Sequence, residues 1–525
     1  MHGVPRLDTL LPASGQRGSL RAWLVATTPL TLTLGGALIA ALAVLVVLGS
    51  DSAKLLGAAV AGAVILAGGV MSGNPRLYCL YWLMVAVPFD LSKRFGTIIA
   101  KMGGESSLRA EFSDVFLIVL LGYLVADIAS GRVRALRIPK VTYVWLTVAA
   151  FGTAAMLWGD YRLTAFHEVV RMLKVTVLFV VLVNELRTPQ RVLHAAAGIA
   201  CGVLLQSLVG MYQYATQKHL GLDILGETGS GTLNQLAADS VRVEGVFRVG
   251  AFLNHPNIFG AYLAALLPLA LALYLLRKSG PIKLLGLVTA GLGTAALVAS
   301  LSRSGWVSFA ASATVLMALV LLHGRMRMRV LLPAAGSALV LGAVLVAFSG
   351  QIAERIFESK PDAILGRQEY TATALGMIAV KPLLGHGLNS YVYVAPPYTR
   401  YGPRKAADVY KNWLPPVHNI YLLWTAETGF IGLAVHLLLL LMLLRTAAAN
   451  LKVRDETLFM INAACLCGLI ALMIDGLFSF TLRINSVQRV FWVLAAIILA
   501  VHYQRLQAQR PPGAAAGAGS QPARP

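Results

Sequence analysis

Charge is what this chain most conspicuously lacks. Only 13% of its 525 residues are charged, against about 25% in a soluble domain. Acidic residues are scarcest, 23 against 44 Lys and Arg, so the formal net charge is +21. No Gly-x-x-x-x-Gly-Lys loop is present, which excludes a P-loop ATPase. No His-Glu-x-x-His, Cys-x-x-Cys or Asp-x-Asp motif occurs, and His255, His386 and His436 have no metal-ligand spacing. Metal-independent chemistry without a cofactor is therefore expected. The four cysteines, Cys79, Cys201, Cys465 and Cys467, all lie inside apolar runs. That position predicts packing rather than a disulfide framework. No basic stretch is interleaved with aromatics on a soluble module, which argues against nucleic acid as the partner of the positive charge. No internal repeat stands out, which counts against an inverted-repeat transporter.

Long apolar runs are what the chain has instead. They fall near 23–48, 54–72, 76–89, 112–130, 140–158, 165–185, 191–215, 258–276, 282–300, 304–322, 329–348, 418–444, 458–477 and 489–503. A run of about 20 apolar residues crosses the hydrocarbon core as a helix, and lipid forces such a run to satisfy its own backbone. The expected fold is an all-α polytopic membrane protein with about 12–14 transmembrane helices, the short 76–89 run being the uncertain span. The run from Trp23 to Leu48 is too long for a signal peptide and reads as an anchor.

Orientation follows the basic residues of short loops. With Arg6, Arg17 and Arg21 in the cytoplasm, the loops at Arg132/Arg134/Arg137/Lys140, Arg187/Arg191, Arg277/Lys278/Lys283, Arg325/Arg327/Arg329 and Arg445/Lys452/Arg454 share that side, as do Arg505 and Arg510. Both termini are then cytoplasmic and the long loops, about 216–257 and 350–417, face outward. The expected organisation is a cytoplasmic N-terminus (1–22), N-terminal helices and first long outer loop (23–245), a core with the large loop 350–417 (246–445), C-terminal helices (446–505) and a disordered cytoplasmic tail (506–525). The large loop precedes the third-last span. It is rich in Tyr and Trp, and is expected to fold back over the membrane surface as short helices rather than to be a bare connector.

Several polar residues stand out against this apolar background. His418, in Pro415-Pro416-Val417-His418-Asn419, sits where the large loop meets a long apolar helix. Histidine there is either a proton acceptor or an interfacial helix cap. Glu427 follows nine residues later, about 900° around the helix at 100° per residue, and so faces away from His418. A basic partner on another helix is its expected neighbour. Arg248, Arg303 and Arg367 lie on the outward side near helix ends, against the positive-inside tendency. A guanidinium there either grips phosphate oxygens or pairs with Glu244, Glu354, Glu358 or Glu369. Arg171 and Lys174 share a helical face with His167. These residues, with Asp475, Arg483 and Arg489, suit internal polar pairing.

Four segments, in order, resemble the O-antigen ligase and polymerase superfamily. His418-Asn419, followed after nine residues by Gly429-Phe430-Ile431-Gly432, resembles its His-Asn…Gly-x-x-Gly signature. Arg248 through Gly250-Ala251-Phe252 to Pro256-Asn257 looks like its Gly-x-Phe…Pro-Asn helix start. Leu301-Ser302-Arg303-Ser304-Gly305-Trp306 looks like its Ser-Arg segment. Gly366-Arg367 and Lys381-Pro382-Leu383-Leu384-Gly385-His386-Gly387 look like its loop arginine and following turn. The resemblance covers about 245–445.

The resemblance implies a membrane glycosyltransferase of the bacterial inner membrane with its site facing the periplasm. Such enzymes move a glycan from an undecaprenyl-diphosphate-linked donor to an acceptor hydroxyl, with inversion. By that likeness His418 is the general base, Arg303 and Arg367 hold the diphosphate, and Arg248, Asn257, Asn419 and Glu427 contribute to substrate binding. The acceptor is open among lipid A–core, another lipid-linked repeat and a protein hydroxyl, with lipid A–core favoured by the His-Asn-x9-Gly-x-x-Gly spacing. Rival readings are a solute transporter, whose contacts would lie at the bilayer midplane, and a peptidoglycan-type transferase using Asp362 or Asp408. A third is a non-catalytic export subunit.

Overall fold

The computed structural model describes residues 68–69, 71–89, 91–99, 104–133, 135–157, 161–222, 227, 242–243, 246–276, 280–323, 361–400 and 415–509. In chain order the elements are α1 (Pro75–Ala86), β1 (Ser92–Phe95), β2 (Leu108–Glu111), α2 (Phe112–Ala129), α3 (Lys140–Ala155), α4 (Arg162–Glu185) and α5 (Pro189–Thr216). There follow β3 (Arg242–Val243), β4 (Val246–Phe247), α6 (Pro256–Leu275), α7 (Gly280–Ala299), α8 (Arg303–Leu322) and α9 (Pro361–Val380). The last are α10 (Tyr391–Val394), α11 (Ile420–Asn450), α12 (Glu456–Asp475) and α13 (Asn485–Ala508).

The protein is an all-α polytopic membrane protein. Among the described residues eight helices, α2, α5–α8 and α11–α13, are long and apolar enough to cross a bilayer. The expected spans at 23–48 and 329–348, and most of 54–72, lie outside the described residues. The run at 140–158 forms α3, only 16 residues long, and the run at 165–185 forms the charged helix α4. Among the described residues sheet is confined to two antiparallel two-stranded pairs, β1 with β2 and β3 with β4, in connectors. The helix expected to end near 503 runs to Ala508, past the start of the expected tail. In the large loop, the 20-residue helix α9 is followed by the short helix α10 and a 3-10 turn at Pro396–Tyr398.

The chain divides into two compact units, Met1–Leu80 with Val115–Arg137, and Tyr81–Asp114 with Ile138–Pro525. In the first, Asp127 holds Arg76 at 2.5 Å and Arg132 at 3.3 Å, and Arg76 also lies over the Tyr123 ring. In the second, α6 is central, packed by α5, α7, α8 and α12. Helices α6, α12 and α13 are apolar and mostly enclosed, whereas α8 and α11 expose Val307, Leu322, Leu437, Leu438 and Leu441. An exposed apolar stripe of that kind suits lipid rather than water.

Buried polar groups tie the helices of the second unit together. Asn450 donates to Asn462 and to the Ile498 carbonyl, linking α11, α12 and α13. Arg489 meets Glu111 at 2.8 Å and donates to Ser113, and the half-buried Lys174 meets Asp114 at 2.8 Å nearer the surface. Such bonds act as interhelical glue where no hydrophobic drive operates between helices in lipid.

Candidate functional site

The starts of α6, α8 and α11 and the ends of α7 and α12 meet at one end of the second unit. Local sequence fixes each start. At α6, His255 caps the helix, its Nδ1 accepting from the Asn257 N–H at 3.1 Å, and Pro256 fills the first turn where no N–H is needed. At α8, the Ser302 hydroxyl accepts from the Gly305 N–H. A Cβ on Gly305 would lie 3.0 Å from the Gly260 backbone, so the absence of side chains there lets α8 approach α6. At α11, Asn419 Oδ1 accepts from the N–H groups of Tyr421 and Leu422, both at 3.0 Å. Asn419 Nδ2 donates to the Leu477 carbonyl and the Ile420 N–H donates to Gly476, binding α11 to the end of α12. Each helix start carries partial positive charge, so this end of the bundle favours an anion.

Asn419 therefore serves first as a cap that fixes the backbone just after His418. Asn419→Ala is expected to destabilise the protein by roughly 1–2 kcal/mol, the upper part of the capping range. Thermal unfolding in detergent measures this.

Four carbonyl and amide groups explain the Gly-x-x-Gly segment. Helix α11 breaks at Gly429, where φ is 67° and ψ −175°. The break frees backbone groups that a helix would pair. The turn at 382–387 inserts and takes them up. The N–H groups of His386 and Gly387 donate to the carbonyls of Ala426 and Glu427, at 3.1 and 2.9 Å. The N–H groups of Phe430 and Ile431 donate to the carbonyls of Pro382 and Leu383, at 2.8 and 3.4 Å. A Cβ on Gly385 would stand 2.4 Å from the Glu427 carbonyl carbon, and one on Gly429 2.0 Å from the Leu383 oxygen. The two motifs are the two halves of one splice between loop and membrane helix. It docks α9, and with it Arg367 and Tyr370, against α11.

His418 sits under that docked loop. The Tyr370 ring stacks on its imidazole at 5.7 Å and 18°, and Phe480 meets it edge-on at 5.3 Å. Its Nδ1 is buried and forms no hydrogen bond of normal geometry. Burial, then the Arg367 charge, push its pKa down to about 4, against a weaker opposite pull from the Pro416 backbone. Partial desolvation, then the like charge of Arg303, lower the pKa of Arg367. Arg303, Arg367 and His418 thus form a chain of neighbouring groups. Among the described residues no carboxylate pairs with Arg367. Glu369 is occupied by Arg400 instead, at 3.2 Å. Glu244, Glu354 and Glu358 lie outside the described residues.

The remaining candidates occupy different positions. Arg248 is buried and donates to the Ser300 and Leu301 carbonyls and to Asn257 Oδ1, at 3.2, 3.4 and 2.8 Å. It clamps the α7–α8 junction to the start of α6, and Asn257 serves it as an acceptor. Glu427 is bonded to Arg483 rather than to His418. Arg483 donates to both its carboxylate oxygens, at 2.8 and 3.2 Å, and to Asn389 Oδ1 at 2.8 Å. Glu427 also accepts from the Tyr391 N–H, while Glu168 pairs with Arg171 beside this cluster. The cluster holds 389–391 against the bundle, beneath the splice. His386 Nε2–H donates to the Met377 carbonyl, 3.0 Å away, within the loop. Asp475 is fully buried, bonds Thr481 and lies beside Ser304.

Sequence reasoning passed over Tyr370 and Phe480, which hold the imidazole, and gave His255 no role. Tyr370 lies three residues beyond Arg367 in a helix, a spacing that puts both on one face. Nothing in the sequence marks Phe480, which arrives from the α12–α13 connection.

Residues 287–437 match the family model described as O-antigen ligase. That segment runs from within α7 through α8, the loop helix α9 and the splice to the first half of α11, and so contains Arg303, Arg367 and His418. No curated protein matches the chain.

Proposed function

We propose that this chain, with its O-antigen ligase segment, is an inverting glycosyltransferase of the bacterial inner membrane. It moves a glycan from undecaprenyl diphosphate to an acceptor hydroxyl at the periplasmic face, and lipid A–core is the acceptor we favour. The observation that carries this reading is the meeting of Arg303, Arg367 and His418 at one end of the bundle. A transporter would instead gather its polar contacts at mid-membrane on broken helices. The break at Gly429 is filled by the loop, which takes up the carbonyls of Ala426 and Glu427 and the N–H groups of Phe430 and Ile431.

In this reading Nε2 of His418 takes the acceptor hydroxyl proton, Nδ1 being enclosed. The acceptor oxygen attacks the anomeric carbon, forming the new glycosidic bond from the opposite side. The anomeric carbon–oxygen bond to phosphate breaks, and its electron pair leaves on undecaprenyl diphosphate. Arg303 and Arg367 stabilise that departing charge in a site where water is partly excluded. The lipid-linked donor supplies the driving force.

The test is reconstituted transfer, with purified protein, an undecaprenyl-diphosphate-linked glycan and lipid A–core, read on a glycan gel. Glycan bands on lipid A–core support the ligase reading. Lengthened lipid-linked chains without such bands assign a polymerase, and no product from either acceptor overturns the proposal.

A pH profile follows from the depressed histidine. A base with pKa pushed down to about 4 is neutral at physiological pH and is lost only when protonated in acid. The free-enzyme rate constant kcat/KM is therefore expected to hold down to about pH 5 and to fall as pH drops through His418's pKa. An acid limb at the ordinary histidine value, about 6.5, would contradict the assignment.

A further inference from the structure

His255 caps α6. Three observations take it further. First, its Nδ1 is an acceptor, held by the Asn257 N–H at 3.1 Å. A neutral imidazole with Nδ1 as acceptor carries its proton on Nε2. Second, Nε2 makes no hydrogen bond among the described residues, and the residue is half-buried. Third, its neighbours are the site itself. Burial, then Arg248, then His418 all disfavour its protonation, and its pKa is pushed down to about 3. Arg248 in turn holds Asn257 and the junction that leads into Arg303.

We propose that His255 is a substrate-contacting residue of this site, a neutral imidazole whose Nε2–H donates to a non-bridging phosphate oxygen of the lipid-linked donor. This rests on the reading of the site as a diphosphate site. The ring is a donor only. It cannot serve as a second base, because its one free nitrogen already bears the proton. It cannot add a third positive charge either, because a cation beside Arg248 and His418 is disfavoured. A fixed neutral donor aimed at an anionic oxygen adds a charge-assisted bond without repelling the arginines. It also leaves His418 as the proton acceptor, so two adjacent histidines have separate roles set by their tautomers.

A capping role alone would be met by asparagine, a better N-cap than most residues. The experiment uses that difference. His255→Asn keeps an acceptor for the Asn257 N–H and removes the Nε2 donor. His255→Gln places a side-chain amide donor near the Nε2 position. Undecaprenyl diphosphate is titrated into the full-length protein held in nanodiscs, and KM for donor and acceptor is measured separately. A single charge-assisted bond predicts a donor affinity loss of about 10- to 100-fold in His255→Asn, with wild-type melting and unchanged acceptor KM. His255→Gln is expected to recover most of it. Unchanged donor affinity in His255→Asn, or equal losses in both variants, overturns the proposal. If His255→Asn does not fold, His255→Gln decides, since a purely structural cap predicts that it too fails. The binding measurement stands apart from the transfer reading. Full transfer by a His418→Ala variant would sink the general base while the donor contact at His255 is still decided by titration.

Discussion

His418→Ala should lower glycan transfer by about 10²- to 10⁴-fold, the range for removing a general base, while donor binding changes little. The separation of these two readouts is the substance of the prediction. Arg303 and Arg367 lie on α8 and α9 and are placed by the cap at Ser302 and by the splice, neither of which uses the imidazole. The ring is neutral at physiological pH and puts no charge beside Arg367, so donor affinity should hold. His418→Gln fills the space between Tyr370 and Phe480 without a titrating nitrogen, and should be as inactive as alanine. Arg367→Ala should show the converse, a weaker donor KM together with a slower chemical step, because a guanidinium that stabilises departing charge acts on both. Single-turnover transfer with saturating donor, beside direct titration of undecaprenyl diphosphate, measures the split. Full activity in His418→Ala would remove the base from the mechanism.

The spans were legible because a bilayer imposes one length on every crossing helix. Runs of about 20 apolar residues admit few alternatives, and the starts of α5, α6, α8, α11 and α12 fall within a few residues of the apolar boundaries. Where charge interrupts the run, as in α4 with Glu168, Arg171 and Lys174, composition no longer identifies a span. The partners that make those charges tolerable come from distant segments, Arg483 and Asp114 among them. The proposed site was suggested by residue types at motif positions, His418 and the two arginines, the arginines drawing notice because the outward placement expected of them runs against the charge rule for loops. Its supports were not. The short strands β1 and β2 have no apolar alternation to betray them. The roles of Asn419, Asn257 and Arg248 as cap, acceptor and clamp depend on backbone geometry that spacing does not carry. The expectation of a basic partner for Glu427 came from its charge inside an apolar run, and that partner, Arg483, lies 56 positions along the chain. No pattern within one helix could identify it.

Gly429→Val should be the most damaging substitution outside the reacting groups. At φ 67° and ψ −175° the residue occupies backbone space that side-chain-bearing residues all but avoid. Strain alone costs about 1–3 kcal/mol there. The larger effect is steric. A Cβ would stand 2.0 Å from the Leu383 oxygen and 2.5 Å from the Leu384 nitrogen, both backbone atoms that no rotamer change can move. The turn at 382–387 must then withdraw, which strands the carbonyls of Ala426 and Glu427 and the N–H groups of Phe430 and Ile431 in an apolar setting. Each such group costs several kcal/mol in hydrocarbon, so α11 should straighten instead and recover them as an ordinary helix. Straightening rotates and lifts one part of α11 relative to the other, and it undocks α9. Tyr370 then leaves the His418 ring and Arg367 leaves its place beside Arg303. A displacement of about 1 Å at reacting groups is enough for a 10²-fold rate loss, so transfer should fall at least that far although His418, Arg303 and Arg367 are all intact. Gly376→Ala is the matched control. It lies in the same loop helix, its new Cβ would meet nothing closer than 3.6 Å, and a helical alanine is favoured over glycine. It should retain full transfer and melt no lower than wild type. Limited proteolysis of the loop reports docking directly: faster cleavage in Gly429→Val, and not in Gly376→Ala, is the expected pattern. Wild-type cleavage and transfer in Gly429→Val would show that the break in α11 does not hold the loop in place.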